Sequence, residues 1–126
     1  MLAKHDLIAF VATAKPQKAK DFYSDVLGLH LVEDAPFALV FDAGKTMLRV
    51  SKVSECVPAP FTVLGWKVPD IRATMQQLMT KGIAFERYAG MRQDALGIWT
   101  TPGGDKVSWF KDPDGNTLSL TQFRSK

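Results

Sequence analysis

The strongest constraint on this 126-residue chain is that one order of strand, helix and turn signals occurs twice. Each copy contains a strand, an amphipathic helix ended by a glycine, and three further short strands. Val63 corresponds to Ile8, 55 residues earlier, and Gly82 to Gly28, 54 residues earlier. One helix covers only one face of a four-stranded sheet, so two such units have to pack against each other or against another chain. The repeat predicts an α+β fold of two tandem βαβββ modules whose curved mixed sheets enclose a cleft.

Proline, glycine and apolar runs predict the bounds of the first module. We expect one domain with a first module at residues 1–53, a linker at 54–60 that contains Pro58 and Pro60, and a second module at 61–126. The continuous apolar run at 7–11 indicates a strand buried on both faces. The other expected elements of this module are a helix from Pro16 to Gly28, strands at 29–33, 37–41 and 47–51, and a hairpin turn at 42–45.

The second module is expected to repeat this order. Asp70 is a helix cap, and Gly82 ends the helix. The predicted strands are 61–68, 83–88, 106–111 and 117–123, with a long loop at 90–104 and a turn at 112–116. The predicted apolar stripe of the helix is Ile71, Met75, Leu78 and Met79.

Charge and cysteine content exclude several classes of partner. The net charge is only +3, and the basic residues are spread along the chain, which argues against nucleic-acid binding. Cys56 is the single cysteine, so no intrachain disulfide can form, and we expect a cytoplasmic protein. The apolar run at 7–11 is too short for a signal core or a membrane span. We therefore expect no membrane partner.

Two segments resemble a known family. The sequence Ala19-Lys-Asp-Phe-Tyr-Ser-Asp-Val-Leu-Gly-Leu29 is similar to the first helix of the vicinal oxygen chelate superfamily, which contains glyoxalase I, bleomycin-resistance and extradiol-dioxygenase proteins. The sequence Trp109-Phe-Lys-Asp-Pro-Asp-Gly-Asn-Thr-Leu-Ser-Leu120 resembles its closing hairpin. Both motifs are structural, so they specify the fold and not a reaction. The resemblance implies a cleft and, commonly, a homodimer.

The metalloenzymes of that superfamily hold a divalent ion through His, Gln or Glu side chains from four strands. The resemblance puts those four positions at Ile8, Arg49, Val63 and Ser119. Ile8 and Val63 have no lone pair, and Arg49 is a permanent cation. His5 lies an odd number of residues from Ile8, on the opposite face of a strand. We therefore expect no metal and no cofactor.

Strand periodicity predicts which side chains face the cleft if Ile8 does. Arg49 is the main candidate, because its planar fork of donors can hold a carboxylate or phosphate. An ion pair with Glu33 or Asp42 is the structural alternative. The full set of predicted ligand-binding residues is Arg49, Ile8, Phe10, Met47, Val63, Trp99, Ser119 and Thr121. Tyr88, Met91 and Trp109 could also stack on a planar ligand or pack in the core.

Three functions stay open at this stage. The first is a metal-independent, bleomycin-resistance-like protein that binds a small, partly aromatic or anionic molecule. The second is a glyoxalase- or dioxygenase-like lyase or oxidoreductase in which Glu86, Asp94 or Tyr88 acts as acid or base and Arg49 stabilises an oxyanion. The third is a protein that works through its surface. The sequence identifies neither the ligand nor a catalytic residue.

Overall fold

The structure, a computed structural model, describes residues 1–125. The chain divides into two compact units, Met1–Pro58 and the part from Ala59 onward. Each unit contains one four-stranded mixed sheet, and the strands of the two sheets follow the same order. The predicted α+β class with two mixed sheets is therefore confirmed.

The first sheet has the strand order β1-β4-β3-β2. Its first and last strands in sequence are parallel neighbours, with Ile8 opposite Met47 and Phe10 opposite Arg49. The remaining pairs are antiparallel. The strands are β1 (Ile8–Thr13), β2 (His30–Asp34), β3 (Ala38–Ala43) and β4 (Thr46–Lys52).

The helical segment of the first unit begins at a proline and ends at a glycine. Helix α1 (Pro16–Asp21) continues directly into a π-helical turn (Phe22–Val26), and Gly28 follows with φ of 74°. The π turn places two consecutive aromatic residues, Phe22 and Tyr23, in buried positions. Tyr23 packs on Phe41 of β3, with ring centroids 5.8 Å apart. This contact joins the helical segment to one face of the first sheet.

The second sheet has the strand order β5-β8-β7-β6, with β5 and β8 parallel. Its strands are β5 (Thr62–Lys67), β6 (Trp99–Thr100), β7 (Lys106–Lys111) and β8 (Thr117–Gln122), and its helix is α2 (Ile71–Thr80). The predicted cap is confirmed, because the Asp70 carboxylate accepts a hydrogen bond from the Ala73 N–H at 3.1 Å. Gln122 Oε1 accepts a hydrogen bond from the Ile71 N–H and ties α2 to β8.

Three local predictions are wrong. Residues 83–88 are not a strand, and the two-residue β6 is the edge strand instead. Met79 is exposed, because only three positions of α2, Ile71, Met75 and Leu78, turn toward the interior. The segment at 7–11 is not buried on both faces: Val11 is buried, whereas Phe10 is 59% exposed. The alternation of one covered and one uncovered sheet face explains this last difference.

Residues 1–125 contain no helix of the length and apolar character that crossing a bilayer would need.

Candidate functional site

Three aromatic side chains of the second unit pack together on one face of its sheet. The indoles of Trp99 and Trp109 are stacked, with ring centroids 6.2 Å apart and 30° between their planes. Tyr88 meets Trp109 edge-on at a centroid distance of 5.5 Å. Trp99 pairs with Val107 of β7, and Trp109 is the next residue of β7 on that face. We call Tyr88, Trp99 and Trp109 the aromatic cluster.

One hydrogen bond fixes the central ring of the aromatic cluster. Trp109 Nε1 donates to Thr62 Oγ1 of β5 at 3.1 Å. An indole has a single donor, so this bond satisfies it and sets the orientation of the ring. Trp109 and Trp99 are each half-buried, and both therefore keep part of their surface accessible.

A groove of about 670 Å³ lies beside the aromatic cluster. Its volume falls within the range of small-molecule sites, which are mostly apolar with a few polar groups. Arg92 is an exposed cation on its wall, and Trp99 and Tyr88 supply aromatic surface. The lining residues are Tyr88, Ala89, Gly90, Met91, Arg92, Trp99, Thr100 and Pro102.

The Gln93 carboxamide holds the segments that form this groove. Its Oε1 accepts from the Tyr88 N–H at 2.8 Å. Its Nε2 donates to the carbonyl oxygens of Glu86 and Gly97 at 2.9 and 2.8 Å. Two of these backbone groups, the Tyr88 N–H and the Glu86 carbonyl, belong to residues 83–88, where a strand would have paired them with a neighbouring strand. The Glu86 N–H does bond to β7, at the carbonyl oxygen of Trp109. Sequence reasoning missed Gln93, because a lone glutamine in a loop carries no recognisable signal.

Asp94 organises the turn that follows. One carboxylate oxygen, Oδ1, accepts hydrogen bonds from the backbone N–H groups of Leu96, Gly97 and Ile98. The other, Oδ2, lies 3.0 Å from Arg72 Nη2 of α2. Burial by itself would raise the pKa of Asp94, but these hydrogen bonds and the Arg72 charge outweigh it and lower that pKa. A carboxylate with a lowered pKa stays ionised near neutral pH and is a weak base, so Asp94 does not fit the predicted role of acid or base.

Tyr88 does not fit a general base either. Burial raises the pKa of its phenol, and the negative charge of Glu86 raises it further. A phenol held in its protonated form can donate a hydrogen bond to a ligand but does not abstract a proton at neutral pH. Of the three acid or base candidates from the sequence, Glu86 is the one whose carboxylate forms no ion pair within residues 1–125.

The first unit brings four of the predicted ligand-binding residues to one face of its sheet. The cross-strand pairs Ile8–Met47 and Phe10–Arg49 alternate with buried pairs on the opposite face, such as Val11–Val50. Ile8 is 44% exposed and Met47 39% exposed. Arg49 is half-buried, and within residues 1–125 its guanidinium makes no hydrogen bond or ion pair. The predicted alternative pair with Glu33 or Asp42 does not form.

The other four predicted residues lie in the second unit. Thr121 pairs with Val107, which pairs in turn with Trp99, so these three side chains form one row across β8, β7 and β6. Ser119 pairs with Gly65 and Trp109 in the next row of the same face. Val63 lies at an irregularity in the pairing of β5 with β8.

Ser119 is 7% exposed, and its hydroxyl lies over Gly65. A Cβ added to Gly65 would come within 2.7 Å of Ser119 Oγ, so the glycine is what makes room for this hydroxyl. The Ser119 hydroxyl is therefore packed inside the unit and is poorly accessible to a ligand.

The residues at the four positions implied by the resemblance do not fit a divalent metal ion. The side chains of Ile8, Arg49 and Val63 offer no lone pair that could bind a metal, and Ser119 contributes one neutral oxygen. His5 follows a short 3₁₀ helix (Leu2–Lys4), lies before β1 and is exposed. Across residues 1–125, His, Cys, Asp and Glu side chains form no group of three or more that could hold a metal.

A family model of the Glyoxalase/Bleomycin resistance protein/Dioxygenase superfamily matches residues 6–120. The chain belongs to this superfamily, as the two sequence motifs and the repeated sheet indicated. A comparison with curated proteins found no match.

Solved structures of similar fold include both binding proteins and enzymes. An antibiotic-binding protein, TnmS3 from Streptomyces sp. CB03234, is 27% identical with a TM-score of 0.72, covering 95% of this chain and 96% of its own. A superfamily member from Sphaerobacter thermophilus is 22% identical, with a TM-score of 0.73 and coverage of 94% and 97%. Lactoylglutathione lyase from Agrobacterium tumefaciens is 18% identical, with a TM-score of 0.69 and coverage of 94% of each chain. The last two likenesses concern the fold alone.

Proposed function

We propose that this protein is a metal-independent member of the superfamily that binds a planar aromatic small molecule in the groove beside the aromatic cluster. The observation that carries the proposal is the stack of Trp99 on Trp109 at the wall of a groove of about 670 Å³. A flat ligand placed against Trp99 extends an existing stack, and each such contact contributes about 0.5–1.5 kcal/mol beyond the burial of apolar area.

The polar groups of the groove favour an aromatic ligand with an acceptor or a negative charge. The guanidinium of Arg92 lines the groove and is exposed. The phenol of Tyr88 stays protonated, because its pKa is raised, and it can donate a hydrogen bond. Stacking on the aromatic wall would hold such a ligand, and these two polar groups would fix its orientation.

Two further observations favour binding over catalysis. The structure with 27% identity is an antibiotic-binding protein, and it covers nearly the whole chain. Asp94 and Tyr88, two of the three acid or base candidates, have pKa shifts that oppose proton transfer near neutral pH.

The test is a titration with a neutral fused-ring probe, 2-naphthalenemethanol, followed by calorimetry and by the fluorescence of the indoles. We expect Trp99→Ala to weaken binding about tenfold, because the variant loses one stacking partner and its apolar contact area. Phe61→Ala is the matched control, because Phe61 is an exposed aromatic of the same unit outside the groove. Circular dichroism checks that each variant is folded.

If a folded Trp99→Ala variant binds the probe with unchanged affinity, the groove is not the binding site. Chemical conversion of a bound compound by the wild-type protein would instead support the lyase or oxidoreductase alternative. Glu86→Gln would then be the first variant to examine, since Glu86 is the remaining acid or base candidate.

We further propose that the protein is a cytoplasmic homodimer. Its single cysteine, Cys56, is typical of a reducing compartment, and dimers are common in the superfamily. The exposed apolar side chains Ile8, Phe10 and Met47 favour burial against a second copy or a ligand. Light scattering on the eluting protein tests this, and a monomer at micromolar concentration contradicts it.

A further inference from the structure

Arg49 occupies an unusual environment for a cation. It lies in the interior of β4, between two completely buried residues of that strand, Leu48 and Val50. Its own side chain points to the other face, where its cross-strand neighbours are Phe10 on β1 and Val40 on β3. Val40 is 4% exposed, and neither neighbour can accept a hydrogen bond through its side chain.

The guanidinium has five N–H donors, and none is used within residues 1–125. Other surface cations of the same unit are used: Lys20 and Lys52 both pair with Asp34. A half-buried cation beside apolar side chains is partly shielded from water, so an anionic partner is favourable there. The N–H donors of Arg49 are therefore available to hydrogen-bond acceptors of a ligand.

The surrounding charges decide which kind of anion fits. By register, Asp42 of β3 lies on the same face, opposite Met47 and diagonal to Arg49. Glu33 of β2 lies on that face as well, opposite Val40. One cation near two carboxylates does not suit a doubly charged phosphate, whereas a planar guanidinium matches a single carboxylate through two parallel hydrogen bonds.

The apolar neighbours decide what the carboxylate is attached to. Phe10 is 59% exposed and lies directly opposite Arg49, while Ile8 and Met47 form the next cross-strand pair. These three side chains form an apolar surface beside Arg49 that can contact the ring or chain of a ligand whose carboxylate the guanidinium holds.

We infer that the face of the first unit around Arg49 is a second recognition element, which binds the carboxylate of an apolar, ring-bearing acid while Phe10 and Met47 contact its hydrophobic part. None of these residues lines the aromatic groove, and all of them lie in the first unit, so a carboxylate-binding role of Arg49 goes beyond the function proposed above.

The experiment compares two ligands of the same ring system, 2-naphthoate and 2-naphthalenemethanol, by calorimetry at pH 7.5. We expect the wild-type protein to bind the carboxylate at least about tenfold more tightly than the alcohol, the contribution of a charge-assisted bidentate pair. Arg49→Met, which keeps the length and apolar stem, should abolish this preference and leave the affinity for the alcohol unchanged. Arg49→Lys should keep part of the preference, because it retains the charge without the fork.

Two controls separate this site from the groove and from net charge. Lys18→Met removes one exposed positive charge from the same unit and should keep the preference. Arg92→Met removes the cation of the groove and should reduce the preference less than Arg49→Met does. In the wild-type protein, the Nε–H signal of Arg49 in an NMR spectrum should shift on addition of 2-naphthoate and not on addition of the alcohol.

The outcomes distinguish this inference from the proposed function. If Arg49→Met keeps the preference, or if Arg92→Met abolishes it, the inference is wrong and the groove alone recognises the ligand. If Trp99→Ala has no effect on the alcohol while Arg49→Met removes the carboxylate preference, the groove proposal is wrong and the inference stands. If neither compound binds, both are wrong.

Discussion

The side-chain oxygen of Gln93 accepts a hydrogen bond from the backbone N–H of Tyr88 at 2.8 Å. Through this bond, a single carboxamide holds one ring of the aromatic cluster beside the groove. The same carboxamide donates to the backbone on both sides, at Glu86 and Gly97, so the loop between them is closed by a side chain in place of a strand ladder.

Replacing this carboxamide should loosen the groove. Gln93→Leu leaves the Tyr88 N–H and the carbonyl groups of Glu86 and Gly97 without their partner, and we expect a loss of about 1–3 kcal/mol in the free energy of unfolding. Hydrogen exchange at the Tyr88 amide should accelerate. Urea unfolding and exchange measured by NMR check both effects. The control is Gln76→Leu, at an exposed position of α2, which should change stability by less than about 0.5 kcal/mol.

The carboxylate of Asp94 should make stability depend on pH. Its pKa in the folded chain is lower than its ordinary value of 3.8, so it contributes stability that is fully present above that value and is lost as the pH falls through the lowered pKa. Asp94→Asn does not titrate. The difference in unfolding free energy between the wild-type protein and Asp94→Asn should therefore be constant from pH 7 to about pH 5 and shrink below pH 3.8.

Urea titrations at matched pH measure this difference. Asp34 also has a lowered pKa, caused mainly by its hydrogen bond with Lys52, but it is present in both proteins and cancels. A difference that grows on acidification would contradict the assignment.

The close approach of Ser119 to Gly65 should appear as an energetic coupling. Gly65→Ala brings a Cβ to 2.7 Å from Ser119 Oγ, and we expect a loss of about 1–3 kcal/mol. In a Ser119→Ala background the hydroxyl is absent, so the same substitution should cost much less. A double-mutant cycle on unfolding free energies measures the coupling, and additive single effects would show that the contact is unimportant.

The buried hydroxyl of Ser108 should be a source of instability. It is completely buried and has no hydrogen-bond partner within residues 1–125. Ser108→Ala removes an unsatisfied polar group and should raise stability by about 1 kcal/mol. Ser24 is the matched control, because its hydroxyl donates to the Lys20 carbonyl oxygen. Thermal unfolding should therefore show a higher midpoint for Ser108→Ala and an unchanged or lower one for Ser24→Ala.

Much of the fold could be predicted because its signals are local. Gly28 and Gly82 both have positive φ, at 74° and 93°, and each ends its helical segment as expected. Asp70 caps α2, and the period-2 alternation correctly assigned Ile8, Phe10, Met47 and Arg49 to one face. The prediction of a strand at 83–88 was wrong because the Tyr88 N–H and the Glu86 carbonyl bond to the Gln93 side chain. Neither hydrophobic periodicity nor strand propensity predicts such bonds.

The sequence by itself determined most of the repeated order of elements, the shared face of Ile8, Phe10, Met47 and Arg49, and the unsuitability of the four implied positions for a metal. These follow from local conformational preferences and from the chemistry of single residues. Only the tertiary structure decided that Trp99 stacks on Trp109 and that the hydrogen bonds of Gln93 hold the loop that forms the groove. It also decided that Arg49 has no acidic partner within the described chain. The reason is physical: each of these depends on distances between atoms brought together by strand pairing and loop closure, and residues far apart in sequence share no local signal of such a contact.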